Sequence, residues 1–312
     1  MLRDARIIYL FIYVADLEAS RAFYEEKLGF RVLEEDANAV KYDGGEIILA
    51  LNKGGDYGIS TNDAHDDSSM IVFHVEDVDA MRSAMEGRGV AFFGATARYD
   101  IGATAVFYDP DGHCFCLYEP SEEALTWPSA DKIRKILAAN GTGPTSTGAP
   151  ASQHSGAAAS ANGGLALGQR KMVYLFLFIK DVEESSKFYG QTLGLRAVEE
   201  SPEVGVVKYD AGSIIIATHL IESEEGARAT TEDLERPKSI SPVFNVPDVE
   251  AAFAKLSQAN IKFTTKPSRS KIGVVAQFED PTGHVFYLYE PSPEALNWPS
   301  GSKIKQILAQ PL

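Results

Sequence analysis

The stretch from Tyr9 to Phe30, YLFIYVADLEASRAFYEEKLGF, returns from Tyr174 to Leu195 as YLFLFIKDVEESSKFYGQTLGL. The echo runs far beyond that phrase. KYD at Lys41 recurs at Lys208, DPDGH at Asp109 meets DPTGH at Asp280, LYEP at Leu117 meets LYEP at Leu288, and EALTWPS at Glu123 meets EALNWPS at Glu294. The unit spans residues 6–137 and again 171–308. A chain repeated on this scale must fold as two like halves, each large enough to bury a core of its own.

Between the copies, residues 136–169 hold no Asp, Glu, Lys or Arg, and from Ala138 onward the stretch is mostly Gly, Ala, Ser, Thr and Pro. Such a composition buries too little apolar surface to order itself. The sequence therefore predicts a first domain at 1–137, a flexible linker at 138–169 and a second domain at 170–312. A tether of ~30 residues reaches on the order of 30 Å, enough for the copies to dock as an intramolecular pseudo-dimer.

Each copy has the same internal grammar. Residues 6–15 read as a strand, Asp16 as the N-cap of a helix through Lys27, and Gly29 as its stop. Short strand runs follow at 31–33, 39–42 and 46–51. The pattern restarts with a strand at 70–75, a helix at 78–88 and strands near 90–93, 103–107 and 114–119. Strand, helix and three strands are thus written twice per copy. The copies close on amphipathic runs, Ile133, Ile136 and Leu137 in one and Ile304, Ile307 and Leu308 in the other. Their spacing predicts helices that begin at Ser129 and Ser300, are anchored by Trp127 and Trp298, and pack between the copies.

Composition removes several function classes. A net charge of −15 repels nucleic acid and anionic membrane surfaces alike, so neither is expected as a partner. Arg3 and Arg6 before the apolar run 7–15 imitate a secretory leader, but an acidic helix pattern follows instead of a cleavage site, and the run recurs inside the chain. The expectation is a cytoplasmic protein. Cys114 and Cys116 stand two apart on one strand face, which suits buried packing better than a disulfide. No phosphate cradle and no nucleophile elbow occurs.

The order V-x-D-x-x-x-S-x-x-F-Y-x-x-x-L-G, then D-P-x-G-H leading to L-Y-E-P, resembles the vicinal oxygen chelate superfamily, which includes glyoxalase I, the bleomycin-resistance proteins and the extradiol dioxygenases. The resemblance covers both copies. It implies an α+β fold of four βαβββ modules forming two vicinal-oxygen-chelate domains, each curling a sheet into a cup that holds the ligand. It also implies a divalent metal, held by a His or Gln seven residues before each helix-starting Asp and by acidic residues on last strands. Here the first-strand positions are Tyr9, Tyr174, Met70 and Ser241, and only Glu119 and Glu290 remain. One carboxylate is a poor divalent site, so no metal and no cofactor is expected.

Strand alternation groups the candidates by face. Tyr9, Phe11 and Tyr13 share one face of their strand, as do Tyr174, Phe176 and Phe178, and the family comparison turns these faces to the cups. Such rings suit stacking on a planar organic ligand. Met70, Ser241 and His74 join them, and Glu119 with Phe115 and Glu290 with Phe286 are expected in the cups as well. His219 is weighed as a satisfied histidine, and His113 and His284 as parts of hairpin turns. The leading reading is metal-independent binding of a small aromatic or amphipathic organic molecule, in the manner of the bleomycin-resistance branch. The alternative is a lyase, isomerase or oxygenase of the glyoxalase/dioxygenase type, with a substituted metal site or with Glu119 and Glu290 as general bases.

Overall fold

The computed structural model describes residues 1–54, 66–139, 165–221, 229–235 and 238–310. The first module comprises β1 (Arg6–Val14), α1 (Leu17–Ala22), β2 (Val32–Glu35), β3 (Ala39–Asp43) and β4 (Ile48–Lys53). The second comprises β5 (Asp66–His74), α2 (Val78–Glu86), β6 (Phe92–Tyr99), β7 (Gly102–Tyr108) and β8 (His113–Pro120), and α3 (Ala130–Ala138) follows it. The second copy repeats this as β9 (Lys171–Ile179), α4 (Val182–Ser186), β10 (Arg196–Ser201), β11 (Val206–Asp210) and β12 (Ile215–Leu220). After a short α5 (Thr231–Glu235) come β13 (Ile240–Asn245), α6 (Val249–Gln258), β14 (Lys262–Ser270), β15 (Gly273–Glu279), β16 (Val285–Pro291) and α7 (Pro299–Leu308).

The four module helices start where the sequence places their caps. Asp16 accepts the amides of Glu18 and Ala19, Asp77 that of Ala80, Asp181 that of Glu184 and Asp248 that of Ala251. The first helix widens into a π-turn at Phe23–Lys27 and stops at Gly29, whose φ of +76° suits glycine. β6 is longer than the apolar run that announces it. It borrows polar residues because it is an edge strand paired only with β7.

The module pairing is a finding the repeat alone does not give. One eight-stranded sheet runs β14-β15-β16-β13-β1-β4-β3-β2, the other β10-β11-β12-β9-β5-β8-β7-β6. Each sheet therefore takes one module from each copy, through antiparallel β1–β13 and β5–β9 seams. The copies are in turn tied to themselves on the helix side. Tyr24 donates to Asp109 at 2.9 Å and the His113 ring lies 2.7 Å from the same carboxylate; Tyr189, Asp280 and His284 repeat the arrangement at 2.6 and 2.9 Å. The F-Y and D-P-x-G-H motifs are thus two halves of one buried clasp.

Apolar side chains divide by face. The largest core lies on the helix side of both sheets and holds Phe23, Tyr24, Phe107 and Phe115 with Phe188, Tyr189, Phe278 and Phe286. Two smaller clusters fill the opposite faces. One gathers Ile8, Tyr9, Ile48, Val243 and Tyr289 under Ile304 and Ile307 of α7; the other gathers Met70, Val72, Tyr174 and Phe178 under Ile133 and Ile136 of α3. A register shift between Ile7 and Tyr9 lets Ile7 face the large core while Ile8 and Tyr9 both face α7.

Most of the expected linker, residues 140–164, lies outside the described residues. Its ends are ordered parts of the fold. Ala138 belongs to α3, the Gly168 amide donates to the Leu28 carbonyl at 2.9 Å, and Arg88 reaches the Leu165 carbonyl at 2.9 Å.

Candidate functional site: two helix-covered cups

The face opposite the module helices is the one the family resemblance makes a cup, and the helix that closes each copy packs over it. In the cup of β1, Trp298, Pro299 and Ser300 bring α7 down onto the first module. Ser300 donates its amide and its hydroxyl to Glu34 Oε2, at 3.1 and 2.8 Å, and Glu34 Oε1 meets Lys41 Nζ at 2.8 Å. The Lys41 ammonium also stands over the Trp298 and Tyr9 rings at 5.5 and 5.9 Å. Lys303, one turn along, pairs with Asp43 at 2.9 Å. Burial pushes the Glu34 carboxyl up, but hydrogen bonds from Lys41 and Ser300 outweigh it and leave it below the usual range.

The second cup repeats this latch. Ser129 donates to Glu199 at 2.6 Å, Glu199 pairs with Lys208 at 2.6 Å, and Lys208 stands over Trp127 and Tyr174 at 5.0 and 5.8 Å. Lys132 pairs with Asp210 at 2.7 Å. The recurring K-Y-D and W-P-S words are therefore complementary halves of one latch, supplied by different copies. The serines are not the side-chain N-caps the sequence suggests; their hydroxyls serve the glutamates instead.

The two cups part company beyond the latch. In the first, Phe11 and Tyr287 are half-buried and meet edge to face at 5.3 Å. The Tyr13 and Tyr287 hydroxyls lie 2.8 Å apart, Gln277 donates to Tyr287 at 3.1 Å, and Thr264 donates to Gln277 at 2.8 Å. Tyr9 donates to Ser300 at 3.4 Å and is pushed up to about 12, chiefly by burial. In the second, Cys116 and Val106 replace Tyr287 and Gln277 at the matching strand positions, and Ala229 and Leu234 from the α5 region belong to the same buried cluster. Phe176 lies 4.2 Å from the His219 ring, whose pKa burial lowers from 6.5 to about 3, with the Lys208 charge a second cause. Cys114 and Cys116 are both buried here and not in a disulfide.

Of the residues singled out in sequence, Tyr9, Phe11, Tyr13 and Ser241 share the first cup, and Met70, Tyr174, Phe176 and Phe178 share the second. His74 is on the second cup's strand face but at its rim, opposite Tyr118 and Lys171. Glu119, Glu290, Phe115 and Phe286 are placed differently from expectation. They point to the helix side: Glu119 accepts the Val78 amide at 2.9 Å, Glu290 the Val249 amide at 3.1 Å, and both phenylalanines belong to the large core. Alternation correctly groups each Glu with its Phe; the group faces the helices because Cys114, Cys116 and Tyr118, or Tyr287 and Tyr289, take the cup side. Glu34, Lys41, Gln277 and Tyr287 and their second-copy counterparts are not found by sequence reasoning, although the repeated K-Y-D is a visible signal for Lys41.

A divalent metal fits these cups poorly. The four first-strand positions present two phenols, a thioether and a hydroxyl, and the two glutamates face away. Among the described residues no three His, Cys, Asp or Glu side chains converge as a ligand set. Among the same residues no helix is long and apolar enough to cross a membrane.

Paired βαβββ modules, each pair bending one sheet around a cup, define a protein of the vicinal-oxygen-chelate class. Residues 6–117 and 171–288 match the Glyoxalase/Bleomycin resistance protein/Dioxygenase superfamily, and the chain belongs to that superfamily. Among solved structures it is similar to glyoxalase I from Zea mays, at 15% identity and a TM-score of 0.58, over 97% of this chain and 95% of that one. It is also similar to a candidate dioxygenase from Bacillus subtilis, at 13% identity and a TM-score of 0.57, over 98% and 91%. At such identities the likeness concerns the fold alone.

Proposed function

We propose that this protein binds a small, planar, amphipathic organic molecule in its helix-covered cups without a metal, and that binding itself is its role. The observation that carries this is the half-buried Phe11–Tyr287 pair on the floor of the first cup, backed by the Tyr13–Tyr287–Gln277–Thr264 chain. Rings that stay partly open beside a docked helix offer stacking area, and the hydroxyls beneath them orient a polar group. The enzyme reading has no comparable support, because its bases Glu119 and Glu290 each accept a helix amide on the other face. A net charge of −15 supports a small-molecule partner over nucleic acid or membrane. A cytoplasmic setting goes with this reading, since neither cysteine is in a disulfide.

The test is a thermal-shift screen of the full chain against neutral bicyclic aromatics. Binding to the folded state alone adds about 2.7 kcal/mol of stability at a hundredfold excess over Kd, which a melt resolves. Phe11→Ala should abolish the shift. A screen with no shift, or a shift that Phe11→Ala leaves intact, would overturn the proposal.

A further inference from the structure

We infer that the two cups are not equivalent, and that the first alone takes the ligand, reading a hydroxyl or carbonyl group on it through Ser241. This rests on the binding role proposed above and narrows it. Ser241 is on β13, directly opposite Phe11 of β1, on the cup face. Its side chain is fully buried and its Oγ has no hydrogen-bond partner among the described residues. A buried hydroxyl left unpaired costs free energy that a ligand's polar group recovers on binding. The neighbouring hydrogen-bonded groups, Tyr13, Tyr287 and Gln277, are already committed to one another. Ser241 is therefore the group with unspent capacity.

The second cup makes the contrast. Met70 stands where Ser241 stands, and Cys116 and Val106 stand where Tyr287 and Gln277 stand. α5 adds Leu234, buried in the same cluster. Module pairing across copies makes these two cups out of different halves of the repeat, so each is free to diverge while the latches stay alike. Among the described residues, the first cup keeps hydrogen-bonded aromatic side chains at positions where the second carries Met70, Val106 and Cys116.

The predicted ligand class is a neutral planar aromatic with one hydrogen-bonding group. Titration calorimetry on the full chain tests it, using matched pairs of bicyclic aromatics that differ only in bearing a hydroxyl or a methyl group. The expected result is one equivalent bound per chain, the hydroxyl member tighter on the order of tenfold, and that preference lost in Ser241→Ala while the methyl member binds as before. Ser241→Met, which places the second cup's side chain in the first, should block both members. Two equivalents, or a preference untouched by Ser241→Ala, would overturn the inference while leaving the binding role intact. Binding of neither member of any pair would overturn both.

Discussion

The hydroxyl of Ser300 donates to Glu34 at 2.8 Å, joining the last helix of the second copy to the second strand of the first. Glu34 is also the partner of Lys41, and the pair is largely withdrawn from water, with side-chain exposures of 16% and 20%. Glu34→Gln leaves the ammonium without its counter-charge. The expected loss is about 2 kcal/mol in denaturant unfolding, and Glu199→Gln should match it in the second latch. Two losses below 0.5 kcal/mol, the scale of an ordinary surface change, would remove the latch from the account.

Acid should act in two stages. Burial pushes Glu34, Asp43 and Asp210 up, but their cationic partners and hydrogen bonds pull each one further down. A carboxyl depressed in the fold stabilises fully above its unfolded value, 4.5 for Glu and 3.8 for Asp, and that stability drains as the pH falls through the folded value. His219 adds an earlier loss. Its folded value is depressed from 6.5 to about 3, so below pH 6.5 the unfolded chain binds the proton first and stability declines. Asn52 holds the matching position in the first copy, opposite Tyr13 as His219 is opposite Phe178, so His219→Asn installs the first copy's residue; it should flatten the stability profile between pH 6.5 and 4.5 and leave the steeper fall below it. A profile unchanged by the substitution would contradict the assignment.

Pairing across copies predicts that the chain between them is dispensable once the fold has formed. A protease site introduced within residues 140–164 and cut in the folded protein should leave both fragments in one particle, because each sheet and each latch joins the two. Size-exclusion chromatography should show them together in buffer and apart in denaturant. Separation in buffer would mean that modules pair within a copy.

Glu119 and Glu290 each hold a helix amide and should behave as caps. Glu119→Gln and Glu290→Gln are expected to cost about 1 kcal/mol each and to leave ligand affinity unchanged. A loss of binding with full stability would restore them to the cup.

Much of this was legible in the residues. Repetition gave four strand-helix-strand-strand-strand modules, and Asp16, Asp77, Asp181 and Asp248 marked their helices because an N-cap depends on local geometry alone. Tyr9, Phe11 and Tyr13 fell in one cup because alternation is local too. What alternation lacks is a sign. It groups Glu119 with Phe115 and Leu117 but does not say which side of β8 meets the helices, and that is settled by what packs over the strand. The pairing of modules is equally invisible, since β5 and β13 offer similar edges and nothing in either sequence marks its partner. Lys41 and Trp298 were each conspicuous as repeats, yet their meeting spans the copies and appears only once the cup is assembled.

The measurement that bears most directly on the central claim is a native mass spectrum of the full chain after metal removal, taken with the tightest compound from the thermal screen and again after incubation with zinc, nickel and manganese. One compound adduct is expected on the metal-free chain, with the metals changing neither its mass nor its occupancy. An adduct that forms only when one stoichiometric divalent ion is present would contradict that claim.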